Sequence, residues 1–361
     1  MKILHIVPSA IRGGCEKNCY HFIKSTPKAL HSIIVLSSAG PMVAEWASLD
    51  VAVGVLDIMR LAVRDFHRAL VTALPRDSFT HVIVWTNSRM PVIANALNKY
   101  TANLFFHIGN PVPRGFTAGL KMHALALLFP SKNSIQLRPV SKYVQEGLGS
   151  TSYYQRFPSR VSLKPVPIPP VSADPPRTID SSTTVQIGMV ARLDRVKDHQ
   201  TVIDAFSLLK QTFPNAVLHL VGDGELGTLL KTRVTEIGMG TEVVFHGDVK
   251  DVFSVMRNWD LFLYGTTPTE GLGGTVPEAL AMGLPVVATD LSMVREWDPK
   301  GKFVTFCCAG NAADMSNKAV EVLHDHAKRV LIHRDAPIFI KDRYSPERFA
   351  MSYISDEAPG S

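Results

Sequence analysis

Cysteine is scarce in this chain: Cys15, Cys19, Cys307 and Cys308 are the only four among 361 residues. Two close pairs cannot frame a disulfide scaffold, and neither is followed by a second Cys/His pair at zinc-finger spacing. Free thiols in a reducing compartment are the reading. Charge is also thin, at 19% of residues against ~25% in an average protein. With a hydrophobic share of 46%, that indicates large buried cores and excludes a disordered or fibrous chain. Long apolar runs are missing as well: none approaches the ~20 residues that span a bilayer. The opening MKILHIVPS has one lysine and no small-residue cleavage site, so it reads as a first strand and not a secretory leader. No repeat of 20–50 residues appears. Acidic residues are rare in one half only. Residues 1–172 hold 7 of them against 19 Lys and Arg, a net of +12, while 173–361 hold 25 against 19, a net of −6. The overall +6 conceals that asymmetry. The basic residues are scattered and accompany no nucleic-acid-binding motif, so no nucleic-acid partner is expected.

A prior of about 150 residues per domain suggests two domains. Short Val- and Ile-rich runs predict strands at 3–8, 32–36, 53–58, 81–85, 104–108 and 135–140, with helices at 15–25, 61–74, 91–99 and 117–128. Near-continuous apolar strands alternating with helices are what a parallel sheet covered on both faces requires. A proline-rich stretch follows, 165–182, whose six prolines supply no backbone donor to a ladder, and it predicts a stiff extended hinge. The rhythm then restarts with strands at 185–190, 217–221, 243–246, 261–264, 285–289 and 303–306, and helices at 200–213, 225–237, 249–258 and 277–282. The expected fold class is α/β, with a Rossmann-like domain over 1–168, a hinge over 169–184 and a second Rossmann-like domain over 185–340. Residues 341–361 form a terminal helix and tail that can cross back to the first domain, with 356–361 frayed.

The most informative stretch is Glu270-Gly-Leu-Gly-Gly-Thr-Val-Pro-Glu278, which follows the strand at 261–264. Glycines between a strand and a helix let backbone N–H groups approach a phosphate, and the helix start adds partial positive charge. Pro277 suits the first helical turn, and Gly283 is placed to end the helix. Glu278 belongs in that turn only if it faces neutral hydroxyls, such as those of a ribose. The alternative is that Glu278 merely offsets the helix dipole and the glycines form a plain loop. A second element, Gly188-Met-Val-Ala-Arg-Leu-Asp-Arg-Val-Lys-Asp198, puts Arg192 and Lys197 on the carboxyl edge of the second sheet. A planar fork and a point charge together suit a diphosphate.

These elements, with Val221-Gly-Asp-Gly224 and Phe245-His-Gly247, resemble the retaining family 4 glycosyltransferases, which carry an E-x7-E motif. The resemblance covers nearly all of 185–300. It extends more weakly to Gly13-Gly14, His107 and Pro139-Val-Ser-Lys142. It implies the GT-B fold, two doubly wound Rossmann-like domains facing across a cleft. It implies that Arg192 and Lys197 bind the donor diphosphate, that Glu270 contacts sugar hydroxyls, and that His107 approaches the donor sugar. It gives Gly13, Gly14, Gly222, Gly247, Gly273, Gly274, Thr275 and Glu278 to donor binding, with Glu278 on the ribose. Relatives carry Phe and bulky aliphatic residues inside E-x7-E, where this chain has Leu272, Gly273, Gly274 and Thr275. The loop at 109–115 is short, and the resemblance implies that acceptor contacts come from that half.

The implied activity is retaining transfer of a sugar from a nucleotide-diphosphate sugar, UDP or GDP based, to a glycan, lipid-linked or small-molecule acceptor in cell-surface polysaccharide or glycolipid biosynthesis. No cofactor and no metal are expected, since no Asp-x-Asp stands in the chain. Closure about the hinge would exclude water. Alternatives on the same fold are a sugar-nucleotide epimerase, a phosphorylase and a catalytically silent partner subunit. The +12 half suggests cytoplasmic placement with peripheral contact to an anionic membrane through 61–68 and 119–129. The competing reading is that these are ordinary sheet-covering helices.

Overall fold

Mostly apolar runs of four to six residues form the strands, and among the described residues every strand pair is parallel. The computed structural model describes residues 1–112, 116–162, 164–172, 174–180 and 182–354, without the side chains of 116–118. Part of the loop at 109–115, and the tail at 356–361, therefore lie outside the described residues. The chain divides into two compact units, Met1–Pro165 with Pro346–Ser361, and Val166–Ser345.

In the first unit the elements are β1 (Lys2–Val7), α1 (Gly14–Lys24), β2 (Leu30–Val35), α2 (Pro41–Ala47), β3 (Ala52–Val55), α3 (Val63–Ala73), β4 (His81–Val84), α4 (Met90–Ala96), β5 (Asn103–Ile108), α5 (Phe116–Leu128), β6 (Ile135–Pro139) and α6 (Lys142–Leu148). The sheet order is β3-β2-β1-β4-β5-β6. Inward-facing Ile3, Val7, Ile33, Trp85 and Phe105 pack with Phe22 of α1 and Trp46 of α2.

The second unit holds β7 (Gln186–Val190), α7 (His199–Leu209), β8 (Val217–Val221), α8 (Gly227–Glu236), β9 (Val243–Gly247), α9 (Val252–Met256), β10 (Leu261–Tyr264), α10 (Val276–Ala281), β11 (Val286–Thr289), α11 (Ser292–Arg295), β12 (Val304–Cys307), α12 (Ala312–His324) and α13 (His326–Tyr344). Its order, β12-β11-β10-β7-β8-β9, repeats the first when each is counted from its own first strand. This is the doubly wound arrangement, in which ligands bind beyond the carboxyl ends of the two strands where the order reverses. Here those strands are β7 and β10. Helix α14 (Pro346–Ile354) belongs to the first unit, where Phe349 and Tyr353 close the core over α1.

The structure refines the sequence reading in several places. Helix α9 is shorter than the expected 249–258, because the Asp251 carboxylate accepts the Ser254 N–H and so fixes the helix start. The charged stretch after β12 forms α12 and α13, which were not among the expected helices. The proline-rich stretch carries no regular element among its described residues, and from Val166 on it belongs to the second unit. Arg177 grips Asp260 with two bonds of 3.0 and 2.7 Å, and Arg329 donates to the Arg177 carbonyl at 2.9 Å.

Candidate functional site

At the carboxyl end of β7 the chain turns through Ala191–Asp198, and at the end of β10 through Gly265–Glu270. The two turns are zipped together. The Thr267 N–H and both the Thr266 and Thr267 hydroxyls donate to the Val196 carbonyl, and the Asp198 N–H donates to Gly265 O at 3.1 Å. That pairing brings residues 73 positions apart into contact. The Lys197 ammonium donates to the Tyr264 hydroxyl at 2.7 Å and to Glu270 Oε2. The Tyr264 hydroxyl donates to the same carboxylate oxygen at 3.1 Å, and the ammonium lies 5.0 Å from the Tyr264 ring centre. The other Glu270 oxygen accepts the N–H groups of Gly271 at 2.9 Å and Leu272 at 3.3 Å. Both charged side chains are 13% exposed, so the pair is largely desolvated yet still open on one side.

Burial pushes the Tyr264 hydroxyl well above its ordinary pKa, an effect reinforced by the nearby carboxylates of Asp194 and Glu278. It therefore acts here as a neutral hydrogen-bonding group. Arg192 is 75% exposed and pairs with Asp194 at 2.8 Å. Asp194 in turn accepts the N–H groups of Val196 and Lys197 at 3.1 and 3.3 Å, which shapes the turn that presents Lys197. His199, two residues on, is buried. Its Nδ1 has no hydrogen-bond partner among the described residues, and burial lowers its pKa to about 4.

The glycines around this site have distinct reasons. Gly222 adopts φ +134°, and a Cβ there would stand 2.0 Å from the Ala191 carbonyl oxygen, so only glycine lets the end of β8 close on the Arg192 turn. Its N–H donates to Gly247 O at 2.8 Å. Gly273, at φ +71°, would place a Cβ 3.1 Å from the Tyr264 ring. The Trp297 indole N–H donates to Leu272 O at 2.8 Å and holds that loop down. Thr275 caps α10, and its buried hydroxyl finds no partner among the described residues. Glu278 lies in the first turn of α10, half-buried.

The first-unit residues have a different setting. A Cβ on Gly13 would meet Glu16 Oε2 at 2.4 Å, whereas Gly14 faces open space. Glu16 itself is buried and accepts the Ser9 hydroxyl, and burial raises its pKa. His107 is 1% exposed on β5. Asn18 donates to its Nε2 at 3.4 Å, so Nδ1–H donates to the Tyr353 hydroxyl at 2.8 Å, and burial lowers its pKa to about 3. The structure thus brings Lys197 and Glu270 together, ties Arg192 to their turn, and places His107 in the first unit's packed interior. Tyr264, Asp194 and Glu16 escape the sequence reading. For Tyr264 the available signal is a hydroxyl-bearing aromatic closing an apolar strand just before a glycine. Among the described residues no cluster of His, Cys, Asp and Glu has metal-site geometry, and no helix is long and apolar enough to cross a membrane.

Two parallel Rossmann-like units of this order define the GT-B fold. HepE of Anabaena, solved in complex with UDP and glucose, superimposes with a TM-score of 0.76 over 98% of each chain at 19% identity. Residues 184–325 match the family described as Glycosyl transferases group 1, so the site above lies inside a glycosyltransferase-type domain. An uncharacterized glycosyltransferase of Methanocaldococcus jannaschii is 33% identical over 111 residues, covering 31% of this chain and 26% of the relative. The phosphatidyl-myo-inositol mannosyltransferase of Mycobacterium leprae is 27% identical over 191 residues, covering 52% of this chain and 48% of the relative. This chain thus spans less than half the length of these two relatives.

Proposed function

We propose that the protein is a retaining glycosyltransferase that moves a sugar from a nucleotide-diphosphate sugar to a glycan or lipid-linked acceptor without a metal ion. The observation that carries this reading is the Lys197–Tyr264–Glu270 cluster at the strand-order reversal of a group 1 glycosyltransferase domain. Lys197 and Arg192 would meet the charge that develops on the leaving diphosphate, an electrostatic role of the oxyanion-stabilising kind. The unpartnered Thr275 hydroxyl and the backbone of Gly273 and Gly274 would hold phosphate oxygens, which supports an anion at that loop. Glu278 would take the ribose hydroxyls.

Glu270 would orient sugar hydroxyls and not attack the sugar. Its two oxygens already accept from Lys197, Tyr264 and two backbone N–H groups, which fixes the carboxylate in place. In the proposed step the bond between the anomeric carbon and the diphosphate oxygen breaks. The acceptor oxygen bonds to the same face of that carbon, and its proton passes to the departing diphosphate. A UDP donor has support in the HepE complex, and a lipid-bearing acceptor in the likeness to the mycobacterial phosphatidyl-myo-inositol mannosyltransferase.

The test is a panel of UDP, GDP and ADP sugars, assayed for nucleoside diphosphate release with and without acceptor glycans. NMR of the product reads the anomeric configuration. Release from one base series with an axial donor yielding an axial product is the expected result. An inverted product would overturn the retaining mechanism, and no release from any donor would overturn the activity. Arg192→Ala and Lys197→Ala should each slow transfer by more than about tenfold.

A further inference from the structure

Arg329 is the anomaly of the second unit. It lies in the first turn of α13 and is 1% exposed, yet it forms no ion pair among the described residues. Its guanidinium donates to the Arg177 carbonyl at 2.9 Å and to His326 Nδ1 at 3.5 Å, and its Nε has no partner among the described residues. The carboxylates that act on it from further off, Asp260 and Asp325, are already engaged. Asp260 accepts both bonds from Arg177 and the Gln186 N–H at 2.8 Å, while Asp325 caps α13 by accepting the Lys328 N–H at 2.8 Å. The start of a helix is its positive end, so α13 adds to the charge and does not offset it. A buried cation without an anion is costly, and protein interiors pair such groups.

Arg329 helps to wall a cavity of about 670 Å³. One wall is the proline-rich stretch, through Pro170, Ser172 and 174–177. The other is the edge of the second sheet where β7, β10 and β11 begin. His333 of α13 donates to Ser172 O at 3.0 Å and ties the proline-rich wall to the helix. At the rim stand Arg257 and Asn258, both exposed, whose side chains make no hydrogen bond or ion pair among the described residues. Three arginines therefore line the cavity with two carboxylates, the exposed Asp174 and the Asp260 already held by Arg177. Lys197 and Glu270 lie past the opposite ends of β7 and β10, and the two places share no residue.

We infer that this cavity binds a phosphomonoester, with Arg329 as the buried anchor of the phosphate and Arg257 and Asn258 holding it from the rim. Cations set on separate elements suit a tetrahedral oxyanion, whose oxygens point in several directions, better than a carboxylate with two oxygens in one plane. Small-molecule sites span roughly 300–1,000 Å³, so this cavity has room for the organic part of the ester as well. Ser172 and Thr184 in its walls suit hydroxyl groups there. A bound ester would fasten the proline-rich stretch to α13, because each supplies part of the wall. The inference does not rest on the proposed transfer activity.

The test is calorimetric titration of the full chain with ribose 5-phosphate, inorganic phosphate and ribose, in phosphate-free buffer at constant ionic strength. The expected result is one ribose 5-phosphate per chain, weaker binding of inorganic phosphate and none of ribose. Arg257→Ala should weaken binding of the ester by at least about tenfold, the scale of one charge-assisted contact. Its melting temperature and its response to nucleoside diphosphates should stay at the parent values, because the side chain is exposed. Arg329→Met should abolish binding and, without ligand, melt no lower than the parent, since it removes an unpaired buried charge. Lys197→Ala should bind the ester as the parent does, which separates this cavity from the proposed donor site. No binding of the ester at millimolar concentration, equal binding of ribose, or binding that survives both arginine substitutions would overturn the inference. So would loss of binding in Lys197→Ala, which would put the phosphate at the donor site.

Discussion

Replacing Tyr264 with Phe removes one oxygen atom and leaves the ring, the fold around it and both charged partners in place. That oxygen accepts from Lys197 at 2.7 Å and donates to Glu270 at 3.1 Å. Hydrogen bonds to charged groups contribute about 1.5–3 kcal/mol each. Lys197 and Glu270 also touch each other directly, so part of the interaction survives the substitution. The net loss should then be close to the value of one such bond, a drop of roughly 10- to 150-fold in kcat/KM if the cluster acts on the donor. If the hydroxyl aligns Lys197 for the leaving group, the loss falls on kcat with KM little changed. If it only shapes the donor pocket, KM rises with kcat intact. Steady-state transfer with the preferred donor reads the split, and a thermal melt checks that Tyr264→Phe remains folded. Turnover within twofold of the parent would refute the reasoning, because it would mean that Lys197 and Glu270 need no third member.

Two further expectations concern the fold. Gly222→Ala must push a Cβ into the Ala191 carbonyl oxygen, at a φ that alanine rarely adopts. It should cost more than about 2 kcal/mol in urea unfolding, and an unchanged midpoint would contradict the packing described. Acid should destabilise the protein early. His5 accepts the Trp85 indole N–H at 3.2 Å and donates its own N–H to His31 at 3.0 Å, while burial holds both rings below their ordinary pKa. His107 and His199 are lowered to about 3 and 4. Below pH ~6.5 the unfolded chain takes up protons that the native rings refuse, so stability falls as pH drops, by up to about 1.4 kcal/mol per pH unit for each ring. Glu16, raised by burial, opposes this with a single proton. Melting temperatures between pH 7 and 4 check the sign, and a rise on acidification would contradict it.

Much of the molecule is legible before folding. The alternation of apolar runs and helices specifies both doubly wound sheets, because parallel strands buried on two faces leave that pattern in the sequence. Arg192, Lys197, Glu270 and Glu278 are legible through spacing. The ion pair between Lys197 and Glu270 is not, since it depends on two turns that pair only after β7 and β10 have become neighbours. Tyr264 hides within an apolar run for the same reason. Helix α12 begins with an Asn311 cap on Asp314, a readable signal, but α13 carries Pro337 inside it and breaks the expected pattern. Glu16 carries no signal in the sequence; its burial beside Gly13 and its bond with Ser9 are seen only in the fold. His107 reads as a site residue near the end of a strand; that its ring packs beside Trp85 and bonds to Tyr353, 246 residues on, is visible only in the fold.

The central claim is that the Lys197 turn receives a nucleoside diphosphate. Calorimetric titration of the parent chain and of Lys197→Ala with UDP, GDP and the bare nucleosides tests it most directly. The account predicts that one diphosphate binds, that its nucleoside binds far more weakly, and that Lys197→Ala loses at least about tenfold in affinity while keeping its fold. Equal affinity in parent and variant, or no binding of either diphosphate, would contradict it.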